Sequence, residues 1–114
     1  MTAWGGWARF GAFLGRPLVT QGVDAAGLVE TDQVPTTLAV VSVDSTGERS
    51  FQFYRKPGAD ICLEETMLDK GLLDSAKILH FGSVSLTADP SRAATMAAVR
   101  YAKVRGALIT YDPN

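Results

Sequence analysis

The chain has 114 residues, 46% hydrophobic and 20% charged, the make-up of a single globular domain rather than a disordered or low-complexity segment. Eleven Lys and Arg against twelve Asp and Glu give a formal net charge of −1, which excludes a chain-wide basic surface for nucleic acid or an anionic membrane. Its one cysteine, Cys62, can form neither an intramolecular disulfide nor a cysteine zinc cluster, and no apolar run approaches the ~20 residues of a membrane span, so a cytoplasmic setting with no nucleic-acid or membrane partner is expected.

Residues 1–7 lack a period and read as a loose lead-in; Trp4, Trp7 and Arg9 interrupt any signal-peptide pattern. Phe10, Phe13, Leu14 and Leu18 then share one helical face over Ala8 to Gln21, with Gly15 and Pro17 inside it, which predicts a kinked or shortened helix closed by Gly22. Leu28 to Glu30 suits a short strand. The β-branched run Thr36–Val43, the turn cluster Asp44–Gly47 and the run Glu48–Arg55 predict a β-hairpin. Lys56-Pro57-Gly58 breaks it, and Leu63 to Ser75 suits one short helix with Met67, Leu68 and Leu72 on its apolar side.

The last third changes grammar. Ile78–Phe81 and Ala107–Tyr111 are apolar strands around a helix that Asp89 caps and Pro90 starts. Ala94, Ala97, Ala98, Tyr101 and Val104 form its inner face, and two apolar strands predict a parallel pair covered on both sides. Two parallel strands and one crossover helix fall short of a doubly wound domain, so the chain reads as cut at both ends. Asp112-Pro113-Asn114 lies where ligands bind in such sheets, past a strand's carboxyl end.

Gln21–Asp24, Pro35–Val41, Gly47–Asp60, Leu79–Ser83 and Tyr111–Asn114, in this order, resemble the middle of fructokinase-like members of the ribokinase (PfkB) carbohydrate kinase family. The resemblance covers about residues 8–114. It implies an α/β fold: a ribokinase-like Rossmann-type parallel sheet with helices, plus β-lid strands, here incomplete. The lid strands fall within about 24–60 and the central β-α-β within 77–114. It also implies a sugar substrate, ATP and Mg²⁺ in the complete parent protein, and a homodimer contact through the lid strands.

Strand alternation puts Phe51, Phe53 and Arg55 on one face. The resemblance then implies Phe53 and Arg55 as substrate-binding residues, the ring covering an apolar sugar face and the guanidinium donating to hydroxyls or a carboxylate. It places Asp112 and Asn114 near the phosphates and metal, where without it they are turn residues about Pro113. His80 reads as a hydrogen-bonded core histidine, Cys62 as a small bystander, Glu64, Glu65 and Asp69 as first-turn helix carboxylates, and Gly82-Ser83 as a strand exit.

Several family features are not found among these residues. The glycine-rich asparagine segment is missing, the Gly-Ala-Gly-Asp motif with its anion hole and general base is missing, and Gly6 to Gly11 lacks the usual acidic pair. No catalytic residue is therefore assigned. The expected activity, phosphorylation of fructose to fructose 6-phosphate, belongs to the parent protein, and the isolated chain is expected to be inactive. Rival readings are a kinase for 2-keto-3-deoxygluconate or a nucleoside, and a non-catalytic remnant serving as an interaction module through its lid edge.

Overall fold

A computed structural model describes residues 3–5 and 8–114, with side chains from 13 onward. Strand β1 (Ala3–Gly5), helix α1 (Ala8–Thr20) and strand β2 (Val29–Thr31) form a first β-α-β unit, with Ala3 opposite Val29 and Gly5 opposite Thr31 in parallel register. The lead-in expected to be loose therefore contains a strand at Ala3–Gly5. Three residues are too few to show alternation, and it is pairing with β2 that makes them a strand. The rest of residues 1–7, Trp7 included, and the Phe10 side chain lie outside the described residues.

Pro17 sits inside α1 without ending it. The helix closes at Gly22, φ 76°, where Gly22 N donates to the Val19 carbonyl at 3.0 Å and Val23 N to Leu18 at 2.9 Å. Only a left-handed residue lets both bonds form, which is why glycine stands there. Among the described side chains of α1, Phe13 is 69% and Leu14 47% exposed.

The hairpin is as expected: β3 (Leu38–Val43) runs antiparallel to β4 (Arg49–Tyr54), from Leu38 opposite Tyr54 to Val43 opposite Arg49. Every residue of both strands is exposed. The chain's radius of gyration is 15.4 Å, against about 13 Å for a compact chain of this length, so the hairpin projects from the body.

Asp44 organises its turn. Its carboxylate accepts from Thr46 N at 2.8 Å, Thr46 Oγ1 at 2.7 Å and Glu48 N at 3.0 Å. These bonds, the Thr46 hydroxyl foremost, hold its carboxyl below the usual carboxylate range. A depressed folded value makes this contribution complete above the ordinary carboxylate pKa and lost as pH falls through the lowered one. The Thr46 and Glu48 amide resonances are therefore expected to hold their positions down to the ordinary carboxylate range and to move only below it; movement at or above that range would contradict the assignment.

The single helix expected over Leu63–Ser75 is instead two pieces, a 3₁₀ turn at Glu65–Met67 and helix α2 (Lys70–Ser75). Leu68 and Asp69 divide them: Leu68 turns to extended backbone to end the first piece, and Asp69, also extended, caps the second by accepting from Leu72 N at 3.1 Å. Glu64 occupies the other N-cap position, but its carboxylate accepts from the Thr66 hydroxyl at 3.4 Å and caps no backbone amide.

Strand β5 (Ile78–Gly82), helix α3 (Ser91–Val104) and strand β6 (Leu108–Asp112) form the second parallel unit, in register from Ile78 opposite Leu108 to Gly82 opposite Asp112. The helix start differs from expectation: Pro90 is the N-cap residue, and Asp89 pairs with Arg92 rather than capping. No side-chain cap is needed at these amides, since Arg92 N bonds the Ala88 carbonyl at 2.9 Å and Ala94 N bonds Pro90 at 3.0 Å.

Ser91, Ala94, Thr95, Ala97, Ala98 and Ala102 are the buried face of α3. Val104, expected there, is 86% exposed at the last residue of the helix. Among the described residues the two-sided cover expected for the strands is also absent, Ile78 and Leu108 each being 60% exposed. His80 is hydrogen-bonded, Nδ1 to Thr110 Oγ1 at 2.9 Å, but it is an exposed cross-strand partner rather than a core residue.

At the far end, Tyr101 donates to Asp74 at 2.9 Å and Arg105 pairs with the same carboxylate at 3.1 Å, tying α3 to α2. The Tyr101 hydroxyl, then Asp74, raises the Arg105 pKa. The core is small and rich in alanine; Leu63 meets Ala94, with Val29 and Leu68 against them. Among the described residues no helix is long and apolar enough to cross a membrane.

Candidate functional site

The hairpin carries its aromatic side chains in order. Alternation along β4 places Phe51 and Phe53 on one face, and their rings stack at 6.1 Å and 11°. Phe53 is 61% exposed, so its ring is available to a ligand. Arg55 follows at the root of the hairpin, where β4 has ended.

Arg55 is not a solvated strand-end residue. Its Nε donates to Asp60 Oδ2 at 2.7 Å, Nη2 pairs with the same oxygen and donates to the Val84 carbonyl at 3.2 Å, and Nη1 donates to Thr87 Oγ1 at 2.9 Å. The second Asp60 oxygen accepts from the Thr37 hydroxyl. One guanidinium thus joins the hairpin root, the 3₁₀ turn at Ala59–Ile61 and the turn after β5. Gly58 lies at the centre: a Cβ there would stand 1.9 Å from Thr37 Oγ1 and 2.7 Å from Asp60 Oδ1.

Asp112 ends β6 beside Gly82, the last residue of β5. Its Oδ1 accepts from Asn114 N at 2.9 Å, and Asn114 has φ 51°. Arg55 bonds residues of the turn that follows Gly82, so Arg55 and Asp112 both belong to the carboxyl ends of the parallel pair, while Phe53 stands out on the hairpin. Ligands of open α/β sheets bind at such strand ends.

Asp112 and Asn114 do not make a Mg²⁺ site by themselves. They supply one carboxylate and one amide, and among the described residues no group of three or more His, Cys, Asp or Glu could hold a metal ion.

Asp60, Thr37, Gly58 and Thr87 were not foreseen as neighbours of the site. An acid five residues from an arginine across a Pro-Gly turn was the one signal in the sequence. Elsewhere, a cleft of about 580 Å³ between α1, α2, β5 and α3 is lined by Leu18, Leu63, Leu72, Leu79 and Phe81 among others, with none of the four expected site residues on its wall. Its walls are chiefly apolar. Cys62 is half-buried, its thiol 3.5 Å from the Gly58 carbonyl.

Parallel β-α-β units with a projecting hairpin at their strand ends define an α/β fold of the ribokinase-like class. The family model described as pfkB family carbohydrate kinase matches residues 6–114, and the chain belongs to that family. It is 46% identical over 106 residues to Fructokinase-2 of Zea mays, covering 93% of this chain and 32% of that protein. Its structure matches fructokinase from Xylella fastidiosa with TM-score 0.92 at 34% identity, over 100% of this chain and 35% of that one. Fructokinase from Vibrio cholerae O395 in a fructose, ADP and calcium ion bound form matches with TM-score 0.82 at 34% identity, over 99% and 36%. The chain spans about a third of the length of the curated relatives it matches.

Proposed function

We propose that this chain is the lid and part of the central sheet of an ATP-dependent sugar kinase that phosphorylates fructose to fructose 6-phosphate. The observation that carries this reading is the Phe51–Phe53 stack leading to Arg55 at the strand ends, in a chain of the pfkB family. The lid lies within about 24–60 and the central β-α-β within 77–114.

Each residue has a physical part in the reading. Phe53 covers an apolar sugar face and excludes water from it. Arg55 donates a hydrogen bond to a sugar hydroxyl. Asp112 and Asn114 border the phosphate side, with ATP as phosphoryl donor. Phosphoryl transfer depends on positioning and charge stabilisation, and the lid supplies the first by closing over the sugar. The open edges of β3 and β4 are also where a second copy would pair.

Sequencing the transcript across both ends of this reading frame, then assaying its translated product with fructose and ATP, tests the proposal. Fructose-dependent ADP release is expected from a product that carries a Gly-Ala-Gly-Asp general-base motif, and none from a polypeptide of these 114 residues alone. A product with that motif that turns over 2-keto-3-deoxygluconate or a nucleoside but not fructose would overturn the substrate. One that turns over no sugar would overturn the reading.

A further inference from the structure

The guanidinium of Arg55 has five N–H donors, and it clamps a carboxylate best when two of them point at it side by side. Here Nε and one N–H of Nη2 face Asp60, the other N–H of Nη2 faces the Val84 carbonyl, and one N–H of Nη1 faces Thr87. That leaves a single N–H of Nη1 without a partner among the described residues. Both edges of the fork are occupied. One donor suits one hydroxyl, whereas an incoming carboxylate would find no paired donors and would sit near the Asp60 charge.

Asp60 is itself fixed. Its other oxygen accepts from Thr37, and no side chain fits at Gly58 between the two. The carboxylate cannot swing aside without giving up the Thr37 hydroxyl. Arg55 and Asp60 are mostly buried, at 20% and 29% side-chain exposure, so water screens the pair only partly.

We propose that Asp60 is a specificity-determining residue: by occupying Arg55 it leaves this corner able to accept a neutral sugar hydroxyl and unable to clamp a sugar acid. The inference rests on the sugar-site reading above and deepens it. A neighbouring acid, rather than the arginine itself, selects between neutral and carboxylated sugars.

The test uses the ¹⁵N-labelled chain and the Nε–H resonance of Arg55, assigned by its loss in Arg55→Lys. In the wild type this proton is expected to exchange slowly with solvent. Rapid exchange would remove the pair and the proposal together. Fructose and gluconate are then titrated at matched ionic strength into the wild type and Asp60→Asn. Gluconate is expected to shift the Arg55 resonance at about tenfold lower concentration in Asp60→Asn than in the wild type. Equal gluconate responses in the two would overturn the proposal while leaving the sugar site standing. If neither compound reaches Phe53 or Arg55 in either protein, the sugar-site reading falls, and the proposal with it. Should Asp60→Asn lose its fold by circular dichroism, Asp60→Ser removes the same charge with a smaller side chain and is read identically.

Discussion

Leu63→Ala is expected to destabilise the chain by about 2–5 kcal/mol, the usual cost of truncating a buried leucine. Leu63 is 6% exposed and packs on Ala94, itself fully buried, with Val29 and Leu68 around them. Most other core side chains here are alanines, which cannot rotate into the space that a missing leucine leaves. The effect should therefore fall in the upper half of that range. Urea titration reads it as a lower midpoint at unchanged slope. A loss under about 1 kcal/mol would mean that the neighbouring segments collapse freely onto the gap.

Gly58→Ala is the second substitution with a large expected effect. Alanine ordinarily stabilises a position by about 0.4–1 kcal/mol by restricting the unfolded chain, provided the native backbone accepts it. Gly58 has φ −106°, which any residue can adopt, so the backbone raises no objection. Space does: the new methyl group would stand 1.9 Å from Thr37 Oγ1 and 2.7 Å from Asp60 Oδ1. Neither atom can retreat without giving up the hydrogen bond between them, and Asp60 is also held by Arg55. Overpacking of this kind costs about 1–3 kcal/mol, which outweighs the gain. Thermal unfolding at matched conditions decides the sign; a variant as stable as the wild type or more so would show that the Thr37–Asp60–Arg55 network yields easily.

The hairpin and the β5-α3-β6 unit were legible because their signals are local and repeated. Val40, Val41 and Val43 favour extended backbone, Asp44 to Gly47 supplies a turn, and alanines four residues apart mark the inner stripe of α3. β1 was not legible, since what makes Ala3–Gly5 a strand is its parallel partner 26 residues on. The break at Asp69 was missed for a different reason. An aspartate in a helical pattern reads equally as a first-turn carboxylate or a cap, and only the backbone at that residue separates the two.

The site divides along the same line. Phe53 on the exposed stack follows from alternation in a single strand. That Arg55 is bound on three sides depends on Val84 and Thr87, 29 and 32 residues away. No spacing rule reaches that far, and the resemblance pointed to the arginine without its company.

The described backbone forms three separate two-stranded sheets, with no strand shared between any two of them. No hydrogen-bond ladder links the three pieces, which are held together by side-chain packing and the connecting turns. Their local opening free energies are expected to differ, lowest in the fully exposed hairpin and highest in α3 with its buried face. Below the global unfolding that the core reports, amide exchange is therefore expected to differ from one piece to the next.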